Sequence, residues 1–188
     1  MFALVVLAVI VAILVLVAIF AVVGMYNHFV TLRNRIDNAW HQIDVQLRRR
    51  YDLIPNLVET VKGYAAHERG TFEAVTQART AAMSAKSVKE QAQAENMLAG
   101  ALKTLFAVSE AYPELKANQN FLALQEELTG TEGKVAYARQ FYNDMVMQFN
   151  MALQKFPGNV MASMFSFTPR DYFEVEEPAA REPVKVKF

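Results

Sequence analysis

Residues 36–65 read IDNAWHQIDVQLRRRYDLIPNLVETVKGYA, and their periodicity decides the fold class. Apolar side chains fall at Ile36, Trp40, Ile43, Leu47, Tyr51, Ile54, Val58, Val61 and Ala65. The steps are threes and fours that average about 3.6, the repeat of a nearly straight α-helix with one buried face. Pro55 interrupts this pattern without ending it. Proline has no N–H to offer the carbonyl four residues earlier, so a kink is expected near Tyr51. Gly63 weakens the helix, which is read as reaching about His67 before a break at Gly70.

Toward the N-terminus only Gly24 disturbs the pattern, and residues 2–23 form an unbroken apolar run, FALVVLAVIVAILVLVAIFAVV. As a helix this run is about 33 Å long at 1.5 Å per residue, enough to cross a hydrocarbon core of about 30 Å. Its many β-branched residues have no alternative to the helix in lipid, where every backbone group must be satisfied internally. A cleaved signal peptide has a basic leader and a shorter apolar core, whereas Met1 alone precedes this run. Tyr26, His28 and Phe29 suit the headgroup layer. Residues 1–25 are therefore expected to be a transmembrane anchor whose helix continues into the domain. All 19 basic and 19 acidic residues lie from Arg33 onward. Arg33 and Arg35, then Arg48, Arg49 and Arg50, weight the C-terminal side of the span. That bias predicts a single-pass topology with a cytoplasmic C-terminal domain.

Toward the C-terminus, Thr71 is expected to cap a second helix running to about Ala85, with Phe72, Val75 and Ala78 or Ala82 turned inward. Ser87 and Glu90 form a capping-box pattern that opens a third helix, to about Ala111. Its stripe is Met97 or Leu98, Ala101, Leu105, Val108 and Tyr112, and Pro113 stops it. A fourth helix runs from Glu114 or Asn118 to Phe156. Its seam is Phe121, Leu124, Leu128, Thr131, Val135, Ala138, Tyr142, Met145, Phe149, Ala152 and Phe156, the alternation of a left-handed bundle. Gly130 and Gly133 flank Thr131, the one polar seam position. No strand pattern appears, and six prolines with seven glycines leave few turns. The expected class is all-α: an N-terminal transmembrane helix continuing, over residues 26–173, into an antiparallel up-and-down four-helix bundle. Fusion of the second and third helices across Ser87 is the rival, giving three long rods. Residues 174–188, rich in Pro, Glu and Lys, are expected to be a disordered tail.

The composition excludes more chemistry than it offers. The absence of cysteine removes disulfides, thiolate zinc sites and thiol nucleophiles. A net charge of zero gives no global field to attract nucleic acid. His41 lies between Asp37 and Asp44 at helical spacing, which suits a divalent cation but equally a solvated charged face. There is no phosphate loop and no nucleophile elbow. Glu126–Glu127 and Glu176–Glu177 lie on a helix face and in the tail, settings that do not raise a pKa as acid catalysis requires. No enzymatic activity, metal or cofactor is expected. Two surface candidates remain. Arg48, Arg49 and Arg50 form a basic cluster for an anionic partner, or more plainly a solvated face with charge pairs. Residues 141–167, FYNDMVMQFNMALQKFPGNVMASMFSF, hold ten Phe and Met in 27 positions. The seam uses Met145, Phe149 and Phe156. Phe141, Met147, Met151, Met161, Met164, Phe165 and Phe167 are surplus. They suit either a wide core with a tail folded back on it or an adaptable contact surface.

Residues 26–68, YNHFVTLRNRIDNAWHQIDVQLRRRYDLIPNLVETVKGYAAHE, carry a resemblance that later pieces extend in order. These are EAVTQAR (73–79), SEAYPELKANQNFLALQEEL (109–128), TEGKVAYARQFYNDMV (131–146) and FNMALQKFPGNVMASMF (149–165). Together they resemble the LemA family of bacterial single-pass membrane proteins. The resemblance implies an anchor in the bacterial inner membrane, a four-helix bundle and no established enzymatic activity. It also implies a relative used in building magnetosome membranes and genes lying near a membrane metalloprotease. The expected function is a non-catalytic membrane-anchored scaffold or interaction module, self-associating and membrane-shaping. Its expected partners are the lipid bilayer, further copies of itself and a membrane metalloprotease, but not nucleic acid. An accessory subunit of such a protease and a sensor of a small ligand or cation are the alternatives.

Overall fold

The computed structural model describes residues 1–174, which fold into helices with no strand among them. The helices are α1 (Phe2–Lys62), α2 (Arg69–Ser84), α3 (Val88–Ser109), α4 (Pro113–Lys116), α5 (Gln119–Gln154) and α6 (Gly158–Met164). The tail expected to be disordered lies, beyond Glu174, outside the described residues.

α1 joins the apolar run and the amphipathic stretch in one helix. Every side chain from Phe2 to Ala21 is exposed, and no part of the most apolar window is buried. Burial begins where polar residues begin, at Phe29 and Leu32. It then follows the expected stripe through Ile36, Ile43, Leu47, Tyr51, Ile54, Val58, Val61 and Ala65, with Trp40 half-buried. Leu57 and Ala39 widen the stripe. The helix ends at Lys62, short of His67, because Gly63 follows there with nothing to pack. Pro55 lies inside α1 and leaves the Tyr51 carbonyl without its helical donor. Arg79 of α2 fills that vacancy, its Nε donating to the carbonyl at 2.7 Å.

The chain divides into two compact units. One comprises Gln42–Gln140 with the segment from Asp171; the other comprises Met1–His41 and Phe141–Arg170. In the first, the C-terminal part of α1, α2, α3 and the N-terminal part of α5 form the antiparallel up-and-down four-helix bundle. α2 and α3 are separate helices packed on each other, so the fused alternative does not occur. Ser87 explains the separation: its hydroxyl accepts from the Glu90 N–H at 3.2 Å. The Glu90 carboxylate in turn accepts from the Lys86 N–H at 2.8 Å, one residue earlier than in the usual box. α2 begins at Arg69, before Thr71, and Gly70 lies in its first turn. In α3 the buried stripe is Leu98, Leu102, Leu105 and Ser109 rather than Ala101 and Val108. The larger Leu102 takes the core position. Ser109 is buried without an orphaned hydroxyl because it donates to the Phe106 carbonyl at 2.7 Å. Before α5, Asn118 caps the helix, accepting from the Phe121 N–H at 3.0 Å.

The seam on α5 holds through Phe121, Leu128, Thr131, Val135, Ala138 and Tyr142, then drifts to Val146, Phe149, Asn150 and Leu153. Leu124, Met145 and Ala152 are only half-buried, and Phe156 is 83 % exposed. A helix of about 3.6 residues per turn rotates roughly 20° per heptad against a strict 3.5 repeat, so a long strict seam must slip. Pro157 and Gly158 end α5 as expected, but another helix, α6, follows at once. Gly158 permits it: a Cβ there would stand 2.2 Å from the Ala152 carbonyl oxygen.

Candidate functional site

The surplus Phe and Met residues all fall in the unit made of Met1–His41 and Phe141–Arg170. Met161 is buried on the inner side of α6, and Phe167 is half-buried. Phe141, Met147, Met151, Met164 and Phe165 are exposed. Met147 and Met151, four apart on α5, expose 42 % and 41 % of their surface on one side. Val146, Phe149, Asn150 and Leu153 occupy the buried side. The segment after α6 returns to α1 through aromatic contacts. The Phe165 ring meets Tyr26 edge-on at 5.0 Å. Phe167 meets Tyr26 at 5.8 Å, Phe29 at 5.2 Å and Phe149 at 6.4 Å, with the Arg33 guanidinium 5.7 Å from its ring.

Asn150 pins this return. Its side-chain amide donates to the Arg170 carbonyl and accepts from the Arg170 N–H, both at 2.9 Å. The buried amide thus acts like one rung of a backbone ladder. Arg170 also pairs with Asp37 at 3.3 Å.

In the bundle unit the three consecutive arginines part company. Arg48 is exposed and pairs with Asp44 four residues earlier, at 3.0 Å. Arg49 pairs with Glu127 on a partly exposed face. Arg50 is 3 % exposed and bridges two carboxylates, Glu95 at 2.9 Å and Glu132 at 2.8 Å, while its Nε has no hydrogen-bond partner among the described residues. Glu95, 4 % exposed, also accepts from the Tyr51 hydroxyl. Gln91 donates to the Tyr51 oxygen at 2.8 Å, to the Ala82 carbonyl at 3.2 Å and to Glu95 at 3.2 Å. Burial raises the Glu95 pKa, while the Tyr51 bond, the Arg50 charge and the Gln91 bond pull it down. Burial, then the neighbouring Glu95 charge, pushes the Tyr51 phenol far up, so Tyr51 stays a proton donor. Sequence reasoning missed this core network by treating every charge as surface. The signal was present in the spacing. Arg50 stands three after Leu47 and four before Ile54, and Glu95 stands three before Leu98.

No group of three His, Asp or Glu suited to a metal is assembled among the described residues. Asp37 and Asp44, which flank His41 in sequence, are each engaged by an arginine. A shallow groove of about 500 Å³ is lined by Gln42, Val45, Gln46, Gly130, Gly133 and Lys134.

Compared with known proteins, the chain matches the LemA family over residues 39–188. It is similar to magnetosome protein MamQ 2 of Paramagnetospirillum magneticum, at 27% identity over 93% of this chain and 74% of that protein. MamQ of Magnetospirillum gryphiswaldense is 26% identical over 85% of this chain and 68% of that protein. Protein LemA of Metamycoplasma hominis is 26% identical over 84% and 73% respectively.

Proposed function

The chain belongs to the LemA family, and on that footing we propose that it is a non-catalytic, membrane-anchored scaffold that associates with copies of itself. Its anchor is the exposed apolar part of α1, held in the bacterial inner membrane with the helical domain on the cytoplasmic side. Relatives named as magnetosome proteins support a role in organising membrane. The observation that carries the reading is the exposed pair Met147 and Met151 on α5. Fully burying such a side chain contributes about 1.5–3 kcal/mol, and with 42 % and 41 % of their surface still open these two would gain about 1 kcal/mol each from a partner that covers them. Methionine adapts its shape to a contact, which suits a homotypic surface.

The test is Met147→Gln with Met151→Gln, which keeps side-chain length and helix propensity while removing apolar character. Light scattering in detergent and crosslinking in membranes, read by mass spectrometry, should show oligomers for the parent chain. The double variant should lose them at an unchanged melting temperature. A parent chain that is monomeric at every concentration, or whose crosslinks run mainly to a membrane metalloprotease, would overturn self-association.

A further inference from the structure

Around α6 the chain presents an apolar surface that its own unit leaves open. Val160 and Met164 lie four apart on α6 and expose 52 % and 63 % of their surface. Phe156 and Phe165 flank the helix and expose 83 % and 41 %. The inner side of α6 is closed by Gly158, Met161 and Ala162. From Phe156 to Pro169 there is no Asp, Glu, Lys or Arg, while Lys155 and Arg170 bracket the stretch.

The height of this surface along α1 is fixed. Phe165 meets Tyr26 edge-on, Phe167 lies against Tyr26 and Phe29, and a Cβ on Gly158 would stand 3.3 Å from the Phe29 ring. Tyr26 is three residues, and Phe29 six, beyond Val23, where the apolar run ends. At 1.5 Å per residue these positions lie about 4–9 Å past the end of the run. The polar layer on each side of a bilayer core is about 5–8 Å deep, and amphipathic helices settle at that boundary. The amide clamp between Asn150 and Arg170 holds the far end of the segment at the same unit, so the surface is already ordered.

We propose that α6, with Phe156 and Phe165, lies in the headgroup layer of the bilayer that α1 spans, forming a second, interfacial membrane contact. The proposal rests on the reading of α1 as a membrane span. A bilayer fits better than a second copy because of where the surface lies. Its contacts with Tyr26 and Phe29 put it at the depth of the headgroup layer beside the span. The stretch itself carries no charge, and Lys155 at its edge can meet lipid phosphates.

The chain has no cysteine, so Phe156→Cys, Val160→Cys and Met164→Cys can each place one polarity-sensitive fluorophore on the full chain. The labelled chains are reconstituted in vesicles of phosphatidylethanolamine and phosphatidylglycerol. Quenchers are carried on lipid at shallow or deep positions, or dissolved in water as iodide. Val15→Cys reports the span, and Arg35→Cys reports α1 about 18 Å beyond Val23. Circular dichroism confirms native helix content in each variant. The expected result is severalfold stronger quenching by the shallow lipid label at the three α6 positions than at Arg35→Cys, with blue-shifted emission. Val15→Cys should respond to the deep label. If Val15→Cys responds but the α6 positions are quenched only by iodide, the span stands and the α6 proposal falls. If Val15→Cys escapes the lipid label, the span reading itself falls and takes the proposal with it. Shielding from both quenchers that vanishes at one copy per vesicle would assign the surface to a second copy, and overturn the proposal.

Discussion

Glu95 shows how a charged residue becomes a core residue. Its carboxylate meets Arg50, Tyr51 and Gln91 together, and Arg50 has a second carboxylate in Glu132. Pairs of this kind are often no better for stability than apolar residues of the same volume, yet breaking one is expensive. Burial holds the Glu95 pKa above its ordinary value of 4.5. The folded chain therefore binds this proton more tightly than the unfolded chain. The resulting contribution to stability is full below pH 4.5 and is lost as pH rises through the folded value. Glu95→Gln removes the titration. In urea melts across the mildly acid range, the stability advantage of the parent chain over Glu95→Gln should shrink as pH rises. An advantage that grows over that range would mean that Arg50 outweighs burial. Nothing in composition marks Arg50 off from Arg48 or Arg49. Only its place between Leu47 and Ile54 on the buried stripe does, and a run of three arginines invites the eye to treat them alike.

At the scale of the element, Pro55 and Arg79 form one device. α1 passes through the proline, and the carbonyl that proline abandons is taken by a guanidinium from α2. Arg79→Met should leave the Tyr51 carbonyl unpaired and destabilise the bundle by about 1–3 kcal/mol. In a Pro55→Ala background the restored N–H at position 55 reaches that carbonyl, so the same Arg79→Met change should have much less effect. Additive effects in a thermal double-mutant cycle would sink the pairing. The sequence announces α1 clearly because large apolar residues mark its phase for many turns, from Ile36 to Val61. It announces α3 less clearly: Ala101 and Leu102 offer two phases, and side-chain volume chooses. α6 is hidden. Pro157-Gly158 reads as a stop, and seven residues are too few to display a period. What places α6 is a close backbone approach at Gly158, which depends on where α5 has already ended. The burial of Met161 and the exposure of Met164 follow from that placement rather than from their own composition.

At the scale of the whole molecule, charge asymmetry sets topology. The arginines after the apolar run should retain the domain on the cytoplasmic side. A fluorescent protein that matures only in the cytoplasm, fused after Phe188, should light up, and a periplasmic phosphatase fused there should stay silent. The reverse pattern would refute the orientation. α1 is helical without a break from Phe2 past Tyr26 and Phe29, so residue count alone sets the angular phase of the span against its aromatic collar. One alanine inserted after Met25 would turn the span by about 100°, four would bring it back to within about 40°, and seven to within about 20°. Self-association that depends on one side of the span should then oscillate with insert length, falling at one or two residues and recovering at four and seven. A span that serves only as an apolar plug has no preferred azimuth, and its insertion series would be flat.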